Sequence, residues 1–157
     1  IEPIINAASK EKFSSSLIRE DIKNGLFEKV TKALGRHWHM SGKVIIGDQR
    51  ARKINFPTAN IEPGLHILPL KGVYCVEAIV DKKKYKGIAN FGERPTINGS
   101  KVLLETHIFN FDKDIYGKEL TVEFLTFIRQ EQKFDNFEKL TEQIHKDIIT
   151  AKNYHKI

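Results

Sequence analysis

The chain has 157 residues, 40% of them hydrophobic and 29% charged, the proportions of an ordinary globular domain that can bury a core without staples. Its 26 lysines and arginines against 20 aspartates and glutamates leave a formal charge of +6, which suits a phosphorylated ligand and is too evenly spread to point to nucleic acid. The single cysteine excludes a disulfide framework and a thiolate zinc cluster, and no apolar run reaches membrane-spanning length, so the expectation is a cytoplasmic protein with no membrane or nucleic-acid partner.

The chain begins at Ile1 without a charged segment leading into an apolar one, and it reads as a cut piece. From Ser16 to Leu34, the residues Ile18, Ile22, Phe27, Val30 and Leu34 recur at helical spacing. Asn24-Gly25 breaks that stretch into two short helices, and Gly35 ends it. Strand-length runs follow at Gly42 to Ile46, Gly72 to Val80, Tyr85 to Phe91, Val102 to Phe111 and Leu120 to Ile128. Turn residues at Asn98-Gly99 and Tyr116-Gly117-Lys118 separate runs, and no regular strand-helix alternation occurs. The pattern predicts an antiparallel barrel or sandwich. Lys82-Lys83-Lys84 reads as a solvated hairpin tip. Near the C-terminus Phe137, Leu140, Ile144, Ile148 and Ala151 mark one face of a long helix, with Asp135 followed by Glu138 as its N-terminal cap signal.

Several stretches carry residues suited to chemistry. In KINFPTANI, Lys53 to Ile61, Pro57 removes a ladder donor and restricts Phe56, so the chain must bend there. Thr58 and Asn60 share one face of an extended segment and present a hydroxyl and an amide oxygen to the same side. That pair suits either a hard cation sharing a nucleotide's phosphates or a plain structural turn. The preceding Gly47-Asp48-Gln49-Arg50-Ala51-Arg52-Lys53 reads as a basic loop, either solvated or wrapped around phosphates, and it is not a P-loop motif.

Leu103 to Phe111 reads as a strand with Leu103, Glu105, His107 and Phe109 on one face. A carboxylate at Glu105, among apolar neighbours, suits either a base facing an alcohol or a cross-strand partner for a lysine or arginine. His107 reads as a satisfied core or barrel-mouth histidine, and His37-Trp38-His39 lacks the completing ligands of a zinc site. Phe127 to Phe134, FIRQEQKF, runs from a strand into a charged loop flanked by aromatics, either walling a planar ligand or joining the last strand to the terminal helix.

Taken in order from about Leu34 to Ala151, these segments resemble the riboflavin kinase module of bacterial bifunctional riboflavin kinase/FMN adenylyltransferases, the FAD synthetases. The matching pieces are LGR at Leu34, SGKVIIG at Ser41, FPTANI at Phe56, GVY at Gly72, ANFGERPT at Ala89, LETHIFNF at Leu104, IYG at Ile115 and FIRQEQKF at Phe127. The resemblance implies a mainly β fold, a six-stranded antiparallel Greek-key-like barrel with a C-terminal helix. It also implies Mg2+-dependent transfer of a phosphoryl group from ATP to the 5'-hydroxyl of riboflavin, giving FMN.

By the same resemblance, Thr58 and Asn60 engage Mg2+ and the ATP phosphates, and Glu105 is the catalytic carboxylate. Gly47 and the loop with Arg50, Arg52 and Lys53 cover the phosphates, Phe109 and Tyr116 lie near the nucleotide, and Arg129, Glu131 and Phe134 belong to a flavin-side loop. FSSSLIRED, Phe13 to Asp21, resembles the tail of the family's adenylyltransferase domain. Residues 1–34 then form a helical remnant of that missing upstream domain and 35–157 the kinase module, which should not make FAD. Two departures stand out, Ala51 and Asn55 in place of glycines the family usually carries. They keep open a flavin- or nucleotide-binding module whose kinase activity has decayed. A basic barrel for single-stranded nucleic acid ranks below both, lacking aromatics interleaved with the basic residues.

Overall fold

The computed structural model describes residues 4–5, 12–13, 15–46 and 57–157. A small ribbon pairs β1 (Ile4–Ile5) with β2 (Lys12–Phe13). Helices α1 (Ser15–Lys23) and α2 (Phe27–Leu34) follow, separated at Asn24-Gly25 as the periodicity predicts. Helix α2 stops at Gly35, whose φ of 74° is left-handed and whose N–H reaches Thr31 O at 2.9 Å, a conformation that costs a glycine little.

Six strands build the main sheet: β3 (His39–Lys43), β4 (Ala59–Ile61), β5 (Gly72–Val80), β6 (Lys83–Thr96), β7 (Gly99–Ile108) and β8 (Glu119–Gln130). Their order is β3-β8-β5-β6-β7-β4, and every pairing is antiparallel. Past β3, the Ile45 N–H bonds Asn60 O at 2.8 Å, so the two edge strands approach and the sheet nearly closes into a barrel. The expected six-stranded antiparallel barrel with a C-terminal helix is the fold observed.

Three strands differ from the sequence expectation. Strand β7 runs from Gly99 to Ile108 rather than from Val102 to Phe111, since Asn110 takes a positive φ of 55° and turns the chain. The other two also differ for visible reasons. The run expected at Gly42 to Ile46 pairs earlier, at His39–Lys43, because Val44 leaves β8 to bond the turn at Gly117 and Lys118. Strand β6 continues past Phe91 to Thr96 through Pro95, as the long arm of a hairpin with β7. Its pairing with β5 ends at Phe91, so Pro95 lies where β6 has lost one neighbour and the missing donor is tolerated. The Lys82 tip is a tight turn, Asp81 and Lys82 both having positive φ, and Lys84 folds back onto Glu123 at 2.9 Å.

The barrel interior holds Met40, Ile61, Tyr74, Phe91, Leu104 and Phe124, all fully buried. Ile22, Phe27 and Val30 from α1 and α2 belong to this same core, the Phe27 ring lying 5.0 Å from Phe124 and 5.4 Å from Tyr74. Each such side chain contributes about 1.5–3 kcal/mol of burial.

Helix α3 (Phe137–His155) lies on the outer face of the sheet, over a second apolar cluster of Val73, Cys75, Ile88, Phe109, Leu125 and its own Ile148 and Ala151. Its N-cap is Asn136 rather than the expected Asp135. The Asn136 side chain accepts from Lys139 N at 2.8 Å, while Asp135 pairs with Lys139 Nζ at 3.0 Å. Beneath the helix, Cys75 Sγ donates to Ala151 O at 3.7 Å, and burial, reinforced by Glu77, pushes the thiol up to about 12.

Candidate active site

Strand register gathers the polar residues into one line. Asn60 on β4 stands opposite Glu105 on β7, Glu105 opposite Asn90 on β6, Asn90 opposite Val73 on β5, and Val73 opposite Arg129 on β8. Directly paired residues share a face, with Cβ atoms about 5 Å apart. The row therefore crosses the outer face of five strands, on the side where α3 lies. The alternation expected for Leu103, Glu105, His107 and Phe109 is the one observed, their partners Gly92, Asn90, Ile88 and Lys86 alternating along β6.

A cleft of about 610 Å3 opens between this face, residues 131–134 and the first turns of α3. Glu105, Asn90 and Arg129 border it, with Phe134, Phe137 and Leu140 as an apolar wall. A smaller cleft of about 320 Å3 lies towards Val44, Phe111 and Tyr116. Thr58 borders both.

Asn60 is buried, 2% exposed, and its Nδ2 makes only a long 3.5 Å bond to Thr58 O. Its Oδ1 has no hydrogen-bond partner among the described residues, and the same holds for Asn90 Oδ1. A buried acceptor left in that state costs about 1–3 kcal/mol. Between these two amides the Glu105 carboxylate accepts from Arg94 Nε. Arg94 Nη1 donates to Glu131 Oε1 at 3.1 Å and to Glu93 O at 2.7 Å. Burial works against the Arg94 guanidinium's charge, but Glu105 and Glu131 outweigh it and raise the group above its ordinary value.

His107 Nδ1 donates to Pro57 O at 2.9 Å, fastening β7 to the residue before Thr58. Burial, assisted by Lys152 and opposed by that bond, lowers its imidazole and favours the neutral form. Arg129 is committed to α3: its Nε and Nη2 grip the buried Asp147 carboxylate at 2.8–3.0 Å, and Gln143 Nε2 completes the group at 2.9 Å. The guanidinium also lies 5.8 Å from the Phe134 ring centroid, so one side chain anchors both the helix and the segment before it.

Of the residues singled out from sequence, Thr58, Asn60, Glu105, Arg129, Glu131 and Phe134 come together around the larger cleft or its edge. Tyr116 stands apart, on the smaller cleft. Phe109 borders neither; it is buried under α3, 5.4 Å from Lys152 Nζ. Gly47, Arg50, Arg52 and Lys53, with Ala51 and Asn55, lie outside the described residues.

Three participants escaped the sequence reading. Asn90 and Arg94 sit within the quoted ANFGERPT, where Asn90 alternates with Ile88 on an apolar face and so needs a reason to be polar. Asp147 interrupts the apolar stripe of α3 between Ile144 and Ile148, and an acid at such a position demands a cation.

The fold is an antiparallel barrel with a helix on its outer face and two clefts that share Thr58, the kind of concave surface on which small-molecule sites are built. Residues 34–155 match the family model for riboflavin kinase, the flavokinase family, and the chain belongs to that family. It is 43% identical over 145 residues to the bifunctional riboflavin kinase/FMN adenylyltransferase of Haemophilus influenzae, covering 92% of this chain and 47% of that one. The protein of the same name from Bacillus subtilis is 40% identical over 150 residues, again covering 92% and 47%. The chain thus spans about half the length of the curated relatives it matches.

Among solved structures, one named macrolide-efflux protein from Streptococcus pneumoniae superposes with a TM-score of 0.85 at 34% identity, covering 98% of this chain and 50% of that one. Riboflavin kinase from Trypanosoma brucei superposes with a TM-score of 0.54 at 21% identity, covering 75% and 79%, and attests the fold. Among the described residues no helix is long and apolar enough to cross a membrane.

Proposed function

We propose that the chain is a riboflavin kinase, transferring the γ-phosphoryl group of ATP to the 5'-hydroxyl of riboflavin and yielding FMN and ADP. Family membership supports the substrates. The observation that carries the reading to particular residues is the line Asn60, Glu105, Asn90 at the edge of a cleft sized for a flavin.

Phosphoryl transfer asks the protein chiefly to align two substrates and to stabilise charge. Thr58, bordering both clefts, marks where ligands in the two would meet. The larger cleft's aromatic wall suits the flavin ring system, leaving the ribityl chain to run towards Glu105, and the smaller cleft beside Tyr116 suits the nucleotide. In its ionised state Glu105 can only accept, so it would orient the 5'-hydroxyl and take its proton as the phosphorus–oxygen bond forms.

Mg2+ fits the residues present. Asn60 Oδ1 is a buried hard oxygen without a partner among the described residues, and Thr58 supplies a hydroxyl nearby in the chain. The described residues contain no group of three His, Cys, Asp or Glu side chains, and two neutral oxygens match an ion that takes its remaining ligands from water and phosphates. When bound, such an ion neutralises charge developing on the phosphoryl oxygens. The protein's own part is to hold Thr58 where the clefts adjoin and Asn60 opposite Glu105 at the edge of the larger one.

The basic loop at Gly47, Arg50, Arg52 and Lys53 remains in this proposal as the cover over the phosphates, and residues 1–34 as the continuation of an adenylyltransferase domain. A cytoplasmic site of action is included, supported by the free, buried Cys75. The test is conversion of riboflavin by the purified chain with ATP and Mg2+, separating FMN from FAD by chromatography. The expected product is FMN without FAD, formed only with the metal. Flavin binding without FMN at saturating Mg-ATP would instead identify a decayed binding module, with Ala51 and Asn55 as the first residues to revert to glycine.

A further inference from the structure

Arg94 stands at the one point where β6, the Glu105 carboxylate and the segment after β8 meet. Its side chain is 19% exposed and that of Glu105 13%. Nε serves Glu105, while Nη1 serves Glu131. Glu131 can come this close because Gly92 has no side chain: a Cβ there would lie 1.8 Å from Glu131 Oε1 and 2.2 Å from its Cδ. Glycine thus clears a space on β6 that a carboxylate from another strand's extension fills. Maximal stability does not demand this, since a partly buried ion pair is often matched by an apolar pair of similar volume.

Resting on the kinase reading above, we infer that Arg94 is a positioning residue that fixes the direction of the Glu105 carboxylate and couples it, through Glu131, to the loop on the flavin side of the cleft. A charge-assisted bond from a guanidinium restricts the directions in which a carboxylate can turn. That restriction suits a loose phosphoryl-transfer transition state, where the hydroxyl needs orientation early and loses its proton late. The fork geometry matters as well, because arginine serves two carboxylates from two nitrogens whereas lysine offers a single point charge. Among the described residues, the other charged or titratable groups bordering the cleft are His107 on β7, Arg129 on β8, Lys133 after it, and Asp147 on α3, which Arg129 occupies.

The experiment compares kcat and the riboflavin KM for the full chain and for Glu105→Gln, Arg94→Ala, Arg94→Lys and Glu131→Gln. Arg94→Ala should lower kcat about 10- to 100-fold, and added guanidinium ion should restore part of the loss. Arg94→Lys and Glu131→Gln should keep kcat near the wild-type value but raise KM, because each retains a cation beside Glu105 while breaking the tie to the loop.

An inactive Glu105→Gln together with an Arg94→Ala profile like the wild type would overturn the inference while leaving the kinase reading intact. Wild-type turnover in Glu105→Gln would overturn the reading beneath it. Should Arg94→Ala not fold, Arg94→Lys decides: wild-type kcat and KM in that variant would show that the two-carboxylate fork is dispensable.

Discussion

Glu105 and Asn60 face one another across a single strand pair, yet they make opposite demands on the fold. Glu105→Gln keeps an oxygen that can accept from Arg94 and leaves Glu131 paired with that guanidinium, so it should keep the thermal midpoint nearly unchanged while lowering kcat by about 10^2- to 10^4-fold. A melting curve and a steady-state assay on one preparation separate the two effects. Asn60 is the reverse case, a buried amide whose oxygen lacks a partner among the described residues. Asn60→Leu, close in volume, should leave stability equal or raised by about 1 kcal/mol, since an unsatisfied acceptor is removed, while turnover collapses. A large drop in the urea midpoint would show that the oxygen is held by the protein after all. At this scale the sequence signalled Thr58, Asn60 and Glu105 only through their matching context, since a T-x-N and a lone glutamate are common. Arg94 was hidden because its partners lie 11 and 37 positions away, a distance no local pattern spans.

Among the elements, α3 carries the most consequences, because the helix both covers the second apolar cluster and walls the larger cleft. Asp147 is 4% exposed and holds Arg129 with two oxygens. Asp147→Ala should destabilise by about 3–5 kcal/mol, since it strands a guanidinium. Removing the Asn136 cap by Asn136→Ala should cost only about 1 kcal/mol, the bond concerned lying at an exposed helix end. Denaturant midpoints for the two variants should keep that order. The helix itself was legible from Phe137, Leu140, Ile144, Ile148 and Ala151. Its cap was displaced by one residue because aspartate and asparagine are equally good caps in isolation, and only the position of the first turn chooses between Asp135 and Asn136. The outer third of β6 was illegible for another reason, as the hairpin it forms with β7, from Glu93 on β6 to Ser100 on β7, is mostly exposed and carries no hydrophobic alternation.

For the molecule as a whole, the sequence pattern conveyed the antiparallel class, because strand-length runs bounded by turn residues leave little else. Near-closure of the barrel was not readable, since it depends on Ile45 reaching Asn60 across an edge rather than on any local preference. Nor was the placement of the first helices. Ile22, Phe27 and Val30 are at most 1% exposed and pack into the same core as Tyr74 and Phe124. A truncated chain beginning at Leu34 should therefore lose cooperative unfolding or melt far lower than the full chain, despite retaining all the residues that match the family model. Calorimetry of the two chains checks this, and an unchanged transition would show that the helices merely rest on the barrel.

The thiol beneath α3 gives the molecule a clock of its own. Cys75 is the sole cysteine, fully shielded and held protonated by its surroundings, so a thiol reagent can reach it only when the helix lifts away. The rate of labelling under native conditions then counts the lifting events, without a mutation or an attached probe. Because the same helix walls the larger cleft, a ligand filling that cleft should slow the count, and the slowing would report occupancy in a chain that has yet to turn over a single substrate.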